Sequence, residues 1–239
     1  MKWKNSMMTI SFWHRVLDLI SPRTCVMCGR RLSATEEVIC NKCNFHLPRT
    51  GISQNAYDNV MAKLFWGRLP IERAAAFFYY EGHSETANII YQLKYKGHPE
   101  IGYTMGRIAA KEFMYYDFFA GIDGIVPVPL TKERFRSRGY NQSEEIAKGI
   151  SDITGLPIYN DLVKRIVFKG SQTKKNRWER NDNVEHVFSP NKQIPENIKH
   201  LLVVDDVVTT GATIVACSSI LISSGDIKIS VLSLGLTKR

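Results

Sequence analysis

Apolar residues fall into two patterns along this chain. Short unbroken runs read as strands at Ala74–Tyr80, Gly124–Leu130, Leu162–Val167, Leu201–Val204 and Ile227–Leu234, lengths that suit buried strands of a sheet. Helical spacing appears between them. Ala87, Ile90, Tyr91 and Leu93 mark a helix over Glu85–Lys94, and Ile101, Met105, Ile108 and Phe113 mark one over about Ile101–Tyr115. Asn141 or Ser143 can cap a helix running to about Ile153, with Glu144 and Glu145 in its first turn. Ile214–Ile222 fits a buried helix. Residues 47–70, with Pro48, Gly51, Gly67 and Pro70, read as a connector holding one helix around Tyr57–Phe65. Asn183–Phe188 reads as a strand or a helical turn, and Ile10–Ile20 as a short amphipathic helix. The expected division is 1–50, a connector at 51–73, and an α/β domain at 74–239.

The stretch Leu201–Thr213, L-L-V-V-D-D-V-V-T-T-G-A-T, places Asp205 and Asp206 at the end of a strand. Thr209, Thr210, Gly211 and Thr213 then lead into a helix. Unsatisfied N–H groups at a helix start favour a phosphate, and glycine lets the backbone approach it. The two carboxylates can accept hydrogen bonds from sugar hydroxyls or hold a divalent cation. A phosphate beside a diol describes a phosphorylated ribose. The plainer alternative is a strand–loop–helix in which Thr209 or Thr210 merely caps the helix.

A second anion site is expected after the prolines of Val126–Pro129, where Lys132, Arg134, Arg136 and Arg138 crowd a loop before the helix starts. A solvent-exposed basic loop is the competing explanation. Position favours the ligand, because the C-terminal ends of parallel strands share the edge where open α/β sheets bind. Residues 169–183 carry Lys169, Gln172, Lys174, Lys175, Arg177 and Arg180, with Trp178 the one large apolar side chain. They read as a flap closing over a leaving pyrophosphate, or as a basic loop on nucleic-acid backbone with Trp178 free to stack. Lys94 and Lys96 read first as a solvated helix end and second as phosphate ligands.

Cys25, Cys28, Cys40 and Cys43 form C-x2-C, an eleven-residue gap, and C-x2-C. Four thiolates give closed tetrahedral coordination, as in a structural zinc site. Disulfides and a redox pair are the weaker alternatives. Cys217 is read as a core thiol. Over 239 residues, 32 Lys and Arg stand against 23 Asp and Glu, a net charge of +9. Anionic ligands, whether phosphorylated metabolites or nucleic acid, suit that balance. No segment is long enough to span a membrane. Asp18, His14 and Arg15 break the first apolar run, so no signal peptide is read and a cytoplasmic location is expected.

The central stretch resembles the phosphoribosyl-pyrophosphate (PRPP) loop of type I phosphoribosyltransferases. The chain as a whole resembles the ComF family of competence-associated proteins. That resemblance rests on the four-cysteine segment, L-K-Y-K-G at 93–97, V-P-V-P at 126–129 and R-S-R-G-Y-N-Q at 136–142. It rests equally on Arg165, Gln172, Arg180 and Asn183, and on D-D-V-V-T-T-G-A-T at 205–213. The resemblance implies a zinc-ribbon-like module before an α/β type I phosphoribosyltransferase fold, a mainly parallel sheet with flanking helices. An acceptor-reading hood would lie within 74–120. It implies PRPP binding by Asp205, Asp206, Val208, Thr209, Thr210, Gly211, Ala212 and Thr213. Pyrophosphate would be held by Arg134, Arg136, Arg138, Gln172 and Arg180, and catalysis would involve Arg138, Arg180, Asp205 and Asp206. Structural zinc, Mg²⁺ with PRPP, and a link to DNA uptake come with it. Purine-salvage members have an aspartate where Thr209 stands, and threonine has no comparable acid–base capacity near neutral pH. A loop with threonine there occurs among orotate-type enzymes. The expected function is therefore phosphoribosyl transfer to an unnamed acceptor. The alternative is a non-catalytic scaffold or sensor that binds single-stranded DNA or a competence-machinery partner.

Overall fold

Leu201–Val204 is fully buried, as a strand covered on both faces must be. The computed structural model describes residues 22–166 and 187–238. The helix expected at Ile10–Ile20 and the stretch 169–183, with Gln172, Trp178 and Arg180, lie outside the described residues. The chain divides into two units, Met1–Leu47 and Pro48–Arg239.

In the second unit, β1 (Arg73–Tyr80), β2 (Gly124–Pro127), β5 (His200–Val208) and β6 (Lys228–Thr237) form one parallel sheet in the order β1-β6-β5-β2. A separate antiparallel pair joins β3 (Val163–Arg165) to β4 (Phe188–Pro190). Strand lengths depart from expectation in an informative way. β2 stops at Pro127, paired with Val204, and the Val128 N–H makes a last bond to the Val204 carbonyl at 2.9 Å. β5 runs four residues further, held by β6 through Asp205↔Ser233 and Val207↔Gly235. Asp205 and Asp206 therefore begin where β2 leaves, and a crevice opens on that side of β5.

Among the described residues, five helices accompany the sheet: α2 (Glu85–Tyr95), α3 (Pro99–Met114), α4 (Lys132–Arg138), α5 (Gln142–Thr154) and α6 (Ala212–Ser223). The basic segment 132–138, expected as a loop, is helix α4. The Thr131 hydroxyl caps it by accepting from the Arg134 N–H at 3.2 Å, and Gly139 ends it. No α-helix forms over Tyr57–Phe65; one 3-10 turn, Ala62–Leu64, lies there and another, Ile52–Gln54, precedes it. The side chains of Asn55 and Asn59 accept the N–H groups of Tyr57, Asp58, Met61 and Ala62, which competes with helix formation. Residues 74–120, the expected hood, form β1, α2 and α3. α3 and α5 cross closely, since a Cβ on Gly149 would strike the Tyr103 carbonyl and its neighbour Arg107 N, at 2.9 Å. That contact fixes the height at which α5 presents its N-terminus.

Among the described residues of the first unit, one helix, α1 (Asn41–Phe45), follows a turn bridged at Thr24↔Arg31. Among the described residues of this unit the buried apolar side chains are Val26, Met27, Leu32, Val38, Ile39 and Leu47 beside three of the cysteines. A small apolar set of this kind gains from a further link. Among the described residues no helix is long and apolar enough to cross a membrane.

Candidate functional site

The link in the first unit is a cluster of cysteine sulfurs. The Sγ atoms of Cys25, Cys28, Cys40 and Cys43 lie within 4.8 Å of one another, and Cys28 Sγ is 3.9 Å from Cys40 Sγ. Tetrahedral coordination with Zn–S near 2.3 Å puts sulfurs about 3.8 Å apart, so the donor set fits a four-thiolate metal site. Backbone N–H groups of Cys40 and Cys43 donate to the sulfurs of Cys25 and Cys40, each at 3.3 Å. Glu36, silent in the sequence pattern, braces this arrangement. Its buried carboxylate accepts from Ser33 N at 2.8 Å, Asn41 N at 2.7 Å and the Arg30 guanidinium at 3.1 Å. Those donors, led by the Ser33 N–H, hold its pKa down at about 2.

In the second unit, a polar cavity of about 320 Å³ opens beside the end of β5. Asp205, Asp206 and Thr213 line it from β5 and α6, Arg134 and Arg138 from α4, Gln142 and Ser143 from α5. Lys94 and Tyr95 enter from the end of α2, and Arg165 from β3. The sequence order scatters these groups over more than a hundred residues. The parallel sheet collects them, because strand ends, and the helices that follow, meet at one edge.

Each acid has its own partners. Asn141 caps α5 by accepting from Ser143 N at 3.1 Å, which leaves the Ser143 hydroxyl to donate to Asp205 Oδ1 at 3.0 Å. Asp206 N donates to the same Oδ1 at 2.9 Å. Burial, and then the neighbouring Asp206 charge, push the Asp205 carboxyl up to about 7. Asp206 pairs instead with Lys94, Nζ to Oδ1 at 2.8 Å. Lys94 is delivered there because the Tyr140 hydroxyl donates to the Leu93 carbonyl at 2.5 Å, tying the end of α2 to the turn before α5.

The basic segment divides by helical periodicity. Residues four apart share a face, so Arg134 and Arg138 line the cavity with the acids. Arg136 and Lys132 line a neighbouring hollow with Phe135, and the structure does not bring Arg136 to the cavity. Val208 is buried, whereas Thr209 and Thr210 are exposed in the loop before Gly211 and Ala212. Gly211 has φ 75°, and a Cβ there would sit 2.9 Å from the Phe65 ring. Three groups at the cavity belong to motifs already noted in the sequence but were given no site role there. Gln142 is 1% exposed and its Nε2 has no partner among the described residues. Arg165 lies over the Phe188 ring at 5.2 Å, and burial, then the nearby Arg134 charge, lower its pKa. Tyr95 forms part of the rim.

No protein-family model matches the chain. The sequence is 26% identical over 210 residues to "DNA utilization protein YhgH" of Escherichia coli K12, covering 87% of each chain. It is 32% identical over 112 residues to "Competence protein F" of Haemophilus influenzae, covering 46% of this chain and 48% of the other. With "Competence protein ComFC" of Bacillus subtilis it shares 31% identity over 101 residues, 42% of this chain and 39% of the other. The chain is thus similar to proteins named for DNA utilization and for competence. Among solved structures, glutamine PRPP amidotransferase from B. subtilis aligns with 60% of this chain and 30% of its own, at 17% identity and a TM-score of 0.40. An adenine phosphoribosyltransferase aligns with 53% of this chain and 67% of its own, at 16% identity and 0.33. The parallel sheet flanked by helices and the four-cysteine cluster expected from the sequence are both present.

Proposed function

We propose that this chain is a cytoplasmic ComF-type protein, connected with the handling of incoming DNA, that binds PRPP with Mg²⁺ and transfers the phosphoribosyl group to an acceptor. The observation that carries the reading is that Asp205, Asp206, Arg134, Arg138 and Arg165 line one cavity. Vicinal sugar hydroxyls donate to the two acids, the 5-phosphate takes the N–H groups and hydroxyls of Thr209–Thr213, and pyrophosphate meets the arginines. In the transfer, the bond from C1 to pyrophosphate breaks, with its electron pair leaving on pyrophosphate. An acceptor lone pair forms the new bond to C1 and its proton goes to solvent. The protein then contributes placement and charge stabilisation, with no covalent step of its own. Mg²⁺ would come with the pyrophosphate oxygens, since it prefers phosphate and water to an all-protein cage, and the cavity's carboxylates suit that arrangement. Thr209 offers no acid for purine salvage. In the first unit, the four cysteines hold structural zinc. Calorimetry of PRPP with Mg²⁺ tests the main reading, and absence of binding by the folded protein would end it.

A second reading has its own observation. At the cavity rim Tyr95 is 65% exposed, its ring is 5.4 Å from that of Tyr91, and Arg138 lies 5.4 Å above it. Lys96 covers Tyr91 at 5.6 Å. Exposed rings interleaved with cations suit single-stranded DNA, and the E. coli relative is named for DNA utilization. Oligonucleotide affinity that falls steeply with salt supports it, and salt-independent or absent affinity removes it.

A further inference from the structure

We infer that Lys94 determines specificity, making firm binding at the cavity conditional on an anionic group at C1 of the sugar. The inference rests on the PRPP reading of this cavity and goes beyond it. Lys94 Nζ sits 2.8 Å from Asp206 Oδ1, with the lysine side chain 24% and the aspartate 10% exposed. It thus occupies one of the oxygens that a sugar diol would use. A diol that donates to that oxygen competes with the ammonium, and a partly buried ammonium that loses its carboxylate is unfavourable.

The cavity offers the displaced lysine no other anionic partner. Asp205 and Asp206 are the only carboxylates lining it among the described residues, and Arg134, Arg138 and Arg165 are all cations. Asp205 Oδ1 already accepts from Ser143 and from Asp206 N. Only the ligand can supply a new acceptor. A pyrophosphate at C1 does so. Ribose 5-phosphate, which carries the same diol and the same 5-phosphate without it, leaves Lys94 stranded. The same holds for a transferred product with a neutral group at C1, so the return of Lys94 to Asp206 would favour product release. The Tyr140–Leu93 hydrogen bond keeps the lysine close enough to make this exchange without refolding α2.

The test compares two ligands, PRPP and ribose 5-phosphate, each with Mg²⁺, by calorimetry on the full chain and on Lys94→Met and Lys94→Arg. Lys94→Met is expected to lose about tenfold or more in PRPP affinity, the loss of one charge-assisted contact, and to bind ribose 5-phosphate more tightly than wild type does. Lys94→Arg is expected to keep the preference for PRPP. Equal losses for both ligands in Lys94→Met would make the lysine a general attractor of anions and overturn the inference, while wild-type PRPP binding would leave the proposed function standing. Unchanged affinities in Lys94→Met would overturn it as well. Wild type binding neither ligand would remove both. Should Lys94→Met fail to fold, Lys94→Gln replaces it, with the same opposed shifts expected and the same equal shifts contradicting.

Discussion

Arg68 donates to the carbonyl oxygen of Thr210 at 2.7 Å, joining the connector to the loop before α6 across 142 residues of sequence. The same guanidinium donates to the Leu64 carbonyl at 3.0 Å. Phe65, fully buried, packs against Gly211 on the same loop, at the point where a side chain would not fit. Residues 62–68 are therefore a backing for the loop and not a passive tether. A loop that must place several N–H groups around one phosphate benefits from being held before the ligand arrives.

Arg68→Ala should weaken PRPP binding by about 2- to 10-fold, the range for one lost hydrogen bond, while the melting temperature barely moves because the side chain is exposed. Calorimetry and a thermal melt on the same sample check both halves. A large fall in melting temperature with unchanged affinity would assign Arg68 to stability instead.

Asp205 links stability to pH with a definite sign. Its carboxyl titrates at about 7 in the folded protein, above the ordinary unfolded value near 4. Between those values the folded state binds more protons than the unfolded one, so the contribution is full below pH 4 and is lost as pH rises through 7. Asp205→Asn removes this dependence. The variant should melt higher than wild type at pH 8, and the difference should shrink towards zero near pH 4. Thermal melts across that range decide it, and a gap that widens on acidification would refute the assignment.

Glu36 should govern metal retention in the first unit. A glutamine keeps an acceptor for one backbone N–H but turns an amide donor towards the other, and it loses the charge that pairs with Arg30. Glu36→Gln is expected to lower zinc affinity by about 10- to 100-fold, the usual effect of disturbing the groups behind metal ligands. Competition with a chromophoric zinc indicator measures it. Wild-type affinity in the variant would show that the carboxylate is not needed to hold the cysteine turns.

The sequence disclosed the parts of this molecule that depend on near neighbours. Two C-x2-C pairs suffice to foresee the four-sulfur cluster, and D-D followed by T-T-G suffices to foresee the strand-end acids and the loop. Groups placed by tertiary packing were harder to see. Lys94 looks like an ordinary helix end until the Tyr140–Leu93 hydrogen bond aims it at Asp206. Ser143 reads as a cap candidate, and only the choice of Asn141 as the cap releases its hydroxyl to Asp205. The four cations at 132–138 read as one cluster because nothing in a list of charges announces a seven-residue helix. The Thr131 and Gly139 caps carry that signal, and once the helix is drawn, Arg136 turns away from Arg134 and Arg138. Arg165 and Gln142 face the cavity through contacts that no local pattern encodes.

The central claim is that the β5 edge is a PRPP site, and it is tested most directly by calorimetric titration of PRPP with Mg²⁺ into wild type and into the double variant Asp205→Ala, Asp206→Ala. Saturable binding by wild type that disappears in the folded double variant is the predicted result. No binding by folded wild-type protein, or equal binding by both, would contradict it.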